Sequence, residues 1–257
     1  MKRIIWSLIF IAVCICISLA YKMYKYYAPP QIREPYQMNS TGDDTLRIAY
    51  IGDSWAFFHK EYNSIIELFL CDSLHRPVMV HSFGICGFTS KEIYESMHDD
   101  NEFKDFLEQH KYNYCFISAG INDTYKKMSI SYYQNSIDGI IKLLLANQIR
   151  PIIMEIPDYD IHKTYKWQTA DKKALRRLSM FINNKPLDCK QLFRDALDKL
   201  IQEKGYADKV STIRYQSWNN DYLNDLNTLY LRDGMHLNEK GYAKLDSVIV
   251  HTIIALH

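Results

Sequence analysis

The chain has 257 residues, enough for one large α/β domain or two small ones, and 47% of them are apolar, which allows a sizeable core. Its net charge of +1 gives no electrostatic reason to expect nucleic acid or another acidic polymer as a partner. The six cysteines and nine histidines include no C-x-x-C motif, no H-E-x-x-H motif and no zinc-ligand spacing. We therefore expect no metal and no cofactor.

The chain begins with a segment aimed at a membrane. Lys2 and Arg3 precede an uncharged apolar run over residues 4–20, which lies at the short end of the roughly 17–25 residues that span a bilayer. A small-x-small pattern at residues 18–20 fits signal-peptide cleavage, whereas Lys22 and Lys25, which follow at once, favour a retained anchor. Either reading predicts an exported protein, in the cell envelope or on the extracellular face, anchored through residues 4–20 if the segment is kept.

A linker is predicted after this segment. Residues 21–45 contain Pro29, Pro30 and Pro35 and a polar run over residues 39–44, a composition typical of a stalk. Its tyrosines could rest on the membrane interface or on the domain. The predicted organisation is thus a leader or anchor over residues 1–20, a stalk over 21–45 and one domain over 46–257.

Strands and helices alternate through the domain. Apolar runs predict strands over residues 46–51, 78–83, 112–118, 150–156 and 210–215. Helical periodicity predicts helices over residues 61–74, from residue 91 with Ser90 as its cap, and over 101–109, 132–147 and 238–255. Two further helices separated by Pro186 are predicted within 158–207, and residues 216–231 are predicted to be irregular. The alternation predicts a mostly parallel five-stranded sheet covered on both faces.

Three polar turns follow the first three strands. Ser54 ends a Gly-Asp-Ser turn after the first strand, Gly84 and Gly87 lie in the loop after the second, and Asn122 follows Gly120 after the third. Ligands bind at the carboxyl edge of open α/β sheets, where these turns are expected to meet. The site is therefore predicted at this edge.

Near the C-terminus, Asp233 and His236 are three residues apart and can lie on one side of a turn. A serine hydroxyl needs a neutral imidazole to take its proton, and a carboxylate fixes the tautomer of that imidazole. We therefore predict Ser54 as nucleophile, His236 as base and Asp233 as its partner. The oxyanion would be held by the N–H groups of Ser54 and Gly87 and by the side-chain amide of Asn122.

The four blocks around these residues resemble those of the SGNH hydrolases, also called the GDSL esterase/lipase family. Residues 52–54 resemble its first block, Gly87 the oxyanion glycine of the second, residues 120–123 the G-x-N-D block and residues 233–236 the D-x-x-H block. The resemblance implies a three-layer α/β/α flavodoxin-like fold. It also implies ester hydrolysis or acyl transfer on lipids, carbohydrates and acylated glycans, with Ser54, Gly87, Asn122 and His236 as the namesake quartet.

Some residues depart from this pattern or compete with it. Trp55 stands where many members have leucine, which is expected to alter the pocket wall, and Gly84 competes with Gly87 for the oxyanion role. His59 is predicted to be a surface histidine, and Asp123 to hold the Asn122 turn.

A basic cluster and the cysteines lie outside these motifs. Residues 172, 173, 176 and 177 form a basic helical face, read as solvated surface, with contact to phospholipid headgroups or an anionic glycan as the alternative. Cys71 and Cys115 are expected to be buried, and no disulfide can be assigned.

Together these observations predict an exported serine esterase, acting on an O-acetyl or other acyl group of a cell-surface glycan or on a small ester or lipid. Three alternatives stay open: an O-acyltransferase to a glycan that uses the same triad, a lipase or lysophospholipase, and a non-catalytic glycan-binding module.

Overall fold

Strand β1, Leu46–Gly52, is buried along its whole length and lies inside a five-stranded sheet. The computed structural model describes residues 2–39, 42–219 and 221–257, with side chains from residue 5 onward. The other strands are β2 (Val78–Gly84), β3 (Tyr114–Ser118), β4 (Arg150–Met154) and β5 (Ser211–Ile213). All neighbouring pairs are parallel and the order is β2-β1-β3-β4-β5. This order is the flavodoxin-like one, so the predicted fold class is confirmed.

The twelve described α-helices connect and cover these strands. They are α1 (Lys2–Tyr27), α2 (Ser54–His59), α3 (Asn63–Leu74), α4 (Ser90–Asp99), α5 (Asn101–Glu108), α6 (Ile121–Lys126), α7 (Ile130–Ala146), α8 (Ile161–Lys166), α9 (Ala170–Ile182), α10 (Lys190–Glu203), α11 (Tyr222–Leu229) and α12 (Glu239–Ile254). Short 3₁₀ helices cover Lys60–Tyr62 and Tyr215–Ser217.

Alternate side chains of β1 face two separate cores, which makes the molecule three-layered. Ala49 and Ile51 pack in a cluster with residues of α4, α5, α7 and α10. Ile48 and Tyr50 pack in a second cluster with residues of α2, α3 and α12. After β1 the chain forms β2 on one side of β1, and it then crosses over to form β3 on the other side. The carboxyl ends of β1 and β3 therefore flank the topological switch point, where open sheets bind ligands.

Three predicted elements differ from the structure. The segment predicted to be irregular contains α11, and residues 158–207 hold three helices rather than two. The cap of α4 is Thr89, not Ser90: its side chain accepts from the N–H of Glu92, whose carboxylate accepts from the N–H of Thr89. Asn220 in the first of these segments lies outside the described residues.

The predicted stalk is mostly structured. Helix α1 continues to Tyr27, and residues 28–39, which we call the strap, contact α4 and α7. The Tyr36 hydroxyl donates to the Met97 carbonyl at 2.8 Å, and Arg33 pairs with Asp99 through two bonds of 2.5 and 2.8 Å. Tyr36 thus rests on the domain. Met1 of the predicted leader and Ser40 and Thr41 of the predicted stalk lie outside the described residues.

Within the described residues, one helix is long and apolar enough to cross a membrane. It covers Ile5–Tyr27; its most apolar stretch of 18 residues has a mean hydropathy of 2.1, and none of that stretch is buried. Helix α1 therefore has the length and composition of a signal anchor or a transmembrane helix.

Candidate active site

The Ser54 side chain is presented by the tight junction between β1 and α2. Asp53 caps α2, with its Oδ1 accepting from the N–H of Trp55 at 3.0 Å. Gly84, at the end of β2, packs directly beneath this junction: a Cβ there would lie 2.2 Å from the backbone nitrogen of Phe57. Gly84 is therefore required for packing at this junction, which distinguishes it from Gly87, the other candidate for the oxyanion role.

A continuous chain of hydrogen bonds runs from Ser54 to Asp233. The Ser54 hydroxyl lies 2.8 Å from Nε2 of His236, and Nδ1 of His236 lies 2.6 Å from Oδ2 of Asp233. Because the Nδ1–H is donated to a carboxylate, Nε2 remains as the acceptor for the hydroxyl. Serine and histidine are 182 positions apart in the chain.

The carboxylate of Asp233 is held in its charged form. Burial raises its pKa, but hydrogen bonds from the His236 ring and from the N–H groups of Met235 and His236 act in the opposite direction and lower the pKa to about 2. The two backbone bonds to Oδ1 measure 2.9 and 3.0 Å. Asp233 is thus ionised near neutral pH and is fixed by its own turn.

The predicted oxyanion residues lie around the same junction. The side-chain amide of Asn122 donates to the carbonyl of Phe88 at 2.9 Å and to Oδ2 of Asp53 at 3.2 Å. Asn122 therefore contacts the residue before Ser54 and the residue after Gly87. Gly87 has φ +82°, and a Cβ there would meet nothing within 4 Å, so its backbone conformation rather than lack of space favours glycine.

Two buried acids stabilise these loops. Burial raises the pKa of Asp53 to about 7, although hydrogen bonds from Trp55 and Asn122 act in the opposite direction. Burial also raises the pKa of Asp123 to about 6. Asp123 accepts from the N–H and the hydroxyl of Ser90, which joins the start of α4 to α6. Asp123 was expected to hold the Asn122 turn, whereas its side chain bonds to Ser90 of α4.

Phe57 and Phe58 form an aromatic pair beside the site that was not predicted from the sequence. The Phe58 ring packs edge-on against the His236 ring with centroids 5.4 Å apart, and both Phe57 and Phe58 are exposed. The sequence feature that could have predicted this pair is the two adjacent phenylalanines just after the Gly-Asp-Ser turn.

Four expectations about single residues were wrong. Trp55 does not line a pocket but is fully buried, with its ring 5.8 Å from that of Trp218. His59 is not on the surface: it is completely buried and its Nε2 lies 2.7 Å from Asp246. Arg176, read as solvated, is buried against the Tyr125 ring at 3.7 Å, and Cys71 is exposed.

Solved structures resemble the whole domain. A lipase/acylhydrolase from Enterococcus faecalis is 19% identical, with a TM-score of 0.55 over 82% of this chain and 96% of that one. A variant of an acetyl-xylooligosaccharide esterase from Geobacillus Stearmophilus is 15% identical, with a TM-score of 0.56 over 83% and 95%. The acetyl xylan esterase AlAXEase is 15% identical, with a TM-score of 0.54 over 81% and 100%. Identities this low support a shared fold.

No curated protein matches the sequence significantly. The model of the GDSL-like lipase/acylhydrolase family matches residues 50–244, which is most of the chain and includes all of the predicted site residues. The family resemblance inferred from the four sequence blocks is thereby confirmed. The chain belongs to the GDSL-like lipase/acylhydrolase family, a family that acts on esters.

Proposed function

We propose that this chain is an exported, membrane-tethered serine esterase in which Ser54 attacks the carbonyl of an ester. The observation that carries the proposal is the hydrogen-bonded series from the Ser54 hydroxyl through the His236 ring to the Asp233 carboxylate. A nucleophile, a base and a group that orients the base are the parts that acyl transfer through serine requires.

In this mechanism, Nε2 of His236 takes the hydroxyl proton as Ser54 Oγ bonds to the carbonyl carbon. Asp233, with its lowered pKa, stabilises the imidazolium that forms. The N–H groups of Ser54 and Gly87 donate to the developing oxyanion, and the amide of Asn122 joins them by exchanging its longer bond, the one to Asp53 at 3.2 Å, for the oxyanion. His236 then protonates the departing alcohol. Water, deprotonated by the same ring, then attacks the acyl carbon; the bond to Ser54 Oγ breaks, His236 returns the proton to Oγ, and the acid leaves.

For the substrate we propose an acetyl or other acyl ester of a cell-surface glycan. Two structural neighbours are named for esters of this kind, acetyl xylan and acetyl-xylooligosaccharide. The apolar helix α1 supports a location at the outer face of a membrane, where such glycans occur. Acyl transfer to a glycan hydroxyl uses the same groups and differs in the acceptor.

The test compares the full chain in detergent with Ser54→Ala, using p-nitrophenyl acetate and then acetate release from O-acetylated xylan. Loss of the nucleophile is expected to lower kcat by at least about 10³-fold. Ser247→Ala, an exposed position on α12, is the matched control and should keep full activity. Equal turnover by wild type and Ser54→Ala refutes the serine mechanism, and glycan binding without turnover in either indicates a non-catalytic module.

A further inference from the structure

Helix α1 is longer than the apolar interior of a bilayer. The candidate span Ile5–Tyr27 has 23 residues and extends over about 34 Å, compared with about 30 Å of hydrocarbon. The excess lies at the C-terminal end, where Tyr21 and Tyr24 are exposed and Lys22 is charged. Tyrosine and lysine are typical of the membrane–water interface, so this end belongs at headgroup level.

Helix α9 packs beside that same end. The Tyr27 hydroxyl bonds to the Ser179 hydroxyl at 2.5 Å. Met23 and Tyr26 of α1 face Leu175 and Arg176 of α9 across a cavity of about 690 Å³. Helix α9 therefore lies at the depth of the bilayer surface whenever α1 is inserted.

The polarity of α9 is the reverse of that of a soluble surface helix. Its two buried side chains are Arg176 and Ser179, both polar. Met180 is half-buried, and its other four large apolar side chains are between 40% and 86% exposed: Leu175, Leu178, Phe181 and Ile182. Their spacing places them on one face. Trp167, in the turn before α9, is 65% exposed as well.

Cationic side chains border this apolar face. Lys172 and Arg177 are exposed and Lys173 is half-buried, while no acidic residue follows Asp171 within α9. An exposed apolar face bordered by lysine and arginine is the pattern of helices that lie flat in the interface of an anionic bilayer.

We infer that α9 is a second membrane contact, with its apolar face buried in the interfacial layer of the leaflet that receives the end of α1. Lys172, Lys173 and Arg177 lie among anionic headgroups. The inference rests on the membrane location of α1 in the proposed function and extends it, because it converts a single tether into a fixed docking of the domain.

The experiment measures the reactivity of single cysteines toward a membrane-impermeant maleimide. The full chain carries serine at its four exposed cysteines, Cys14, Cys16, Cys71 and Cys86. Phe181→Cys reports on α9, Leu8→Cys on α1 and Phe69→Cys, an exposed position on α3, is the matched control. Each variant is placed in nanodiscs of phosphatidylcholine and phosphatidylglycerol that hold one copy, which excludes protection by a second copy.

If solvent exposure alone set the rate, the cysteine at position 181 would react at least as fast as the one at position 69, because Phe181 is 86% exposed and Phe69 is 61% exposed. Burial of α9 in the interface is expected to slow Phe181→Cys by about tenfold or more relative to Phe69→Cys. Equal rates at these two positions, with Leu8→Cys protected, overturn the docking of α9 and leave the tether standing. Free reaction of Leu8→Cys overturns both.

A second arm tests the charges. In nanodiscs of phosphatidylcholine alone, protection of Phe181→Cys is expected to weaken, because the cations lose their anionic partners. Replacing Lys172, Lys173 and Arg177 together by glutamine should produce the same weakening in the mixed nanodiscs. Unchanged protection in both cases overturns the electrostatic part of the inference.

Discussion

At the scale of single residues, the orientation of Asn122 depends on Asp53. One amide hydrogen of Asn122 is donated to Phe88 and the other to Asp53 Oδ2, so the side chain is held at both hydrogens before substrate arrives. The nucleophile turn and the amide are thus linked through a carboxyl group that does not belong to the predicted triad.

Asp53→Asn is expected to lower kcat by roughly 10- to 100-fold, because its new NH₂ group would face the NH₂ group of Asn122 and displace it. Asn122→Ala is the matched comparison. Since both changes act on one donor, the double variant should lose little more than Asn122→Ala alone. Full additivity in esterase kinetics would show that Asp53 acts independently of Asn122.

The same carboxyl group makes stability depend on pH. Burial raises the pKa of Asp53 from 3.8 to about 7, so between these values the unfolded chain releases a proton that the folded chain keeps. The stabilising contribution is complete below about pH 3.8 and declines up to about pH 7. Relative to Asp53→Asn, the free energy of unfolding of the wild type should fall by up to about 1.4 kcal/mol per pH unit in this window.

Denaturant titrations between pH 4 and 7 measure this difference, and parallel curves for the two proteins would contradict it. Asp233 does not interfere, because its lowered pKa of about 2 places the loss of its contribution at more acidic pH.

At the scale of elements, α4 and α7 approach closely at a glycine. A Cβ on Gly139 would lie 2.5 Å from the Tyr94 ring, whose hydroxyl also accepts from the N–H of Arg33 in the strap. The small residue therefore allows a helix contact that also positions the strap.

Gly139→Ala is expected to destabilise the protein by about 1–3 kcal/mol through overpacking, although alanine is ordinarily the better helix former. Urea unfolding measures the change. Ser131→Ala, on the exposed start of the same helix, is the control and should be close to neutral. A gain in stability from Gly139→Ala would mean that Tyr94 moves away without cost.

The buried pair between His59 and Asp246 joins α2, which begins at the proposed nucleophile Ser54, to α12. Asp246→Ala is expected to cost about 3–5 kcal/mol, because it leaves a buried imidazole without its partner. Replacing both residues, as His59→Phe with Asp246→Leu, should cost much less. If thermal or urea unfolding shows the same loss of stability for Asp246→Ala and for the double variant, packing rather than the pair determines stability at this position.

The elements predicted best are those with local causes. Strand β1 and its turn follow from an apolar run that stops at glycine, and α12 begins at the predicted cap Asn238. His59 was misplaced because its partner is 187 residues away. The inverted face of α9 was missed because periodicity locates an apolar face without saying whether it points inward. Helix α11 was missed although its apolar residues have helical spacing, because it has only eight residues and its other positions hold asparagine, aspartate and threonine, which are weak helix formers.

At the scale of the whole molecule, the strap is part of the folded domain. Pro30 is buried, and Tyr36 and Met38 pack against the cluster that includes α4 and α7. A chain that starts at residue 29 should therefore be more stable than one that starts at residue 43 by about 2–4 kcal/mol. Equal unfolding midpoints for the two truncated chains would show that these contacts contribute nothing.

In the proposed membrane-tethered esterase, the same contacts limit how far Ser54 can move from the anchor. A disordered tether would let the domain take many positions relative to its anchor. The strap is instead held on the domain by Arg33 and Tyr36, which leaves few flexible residues between α1 and the sheet. Catalysis would then take place in a thin layer at constant height. Acyl groups farther from the anchor would be processed only when their own chains bend down to it.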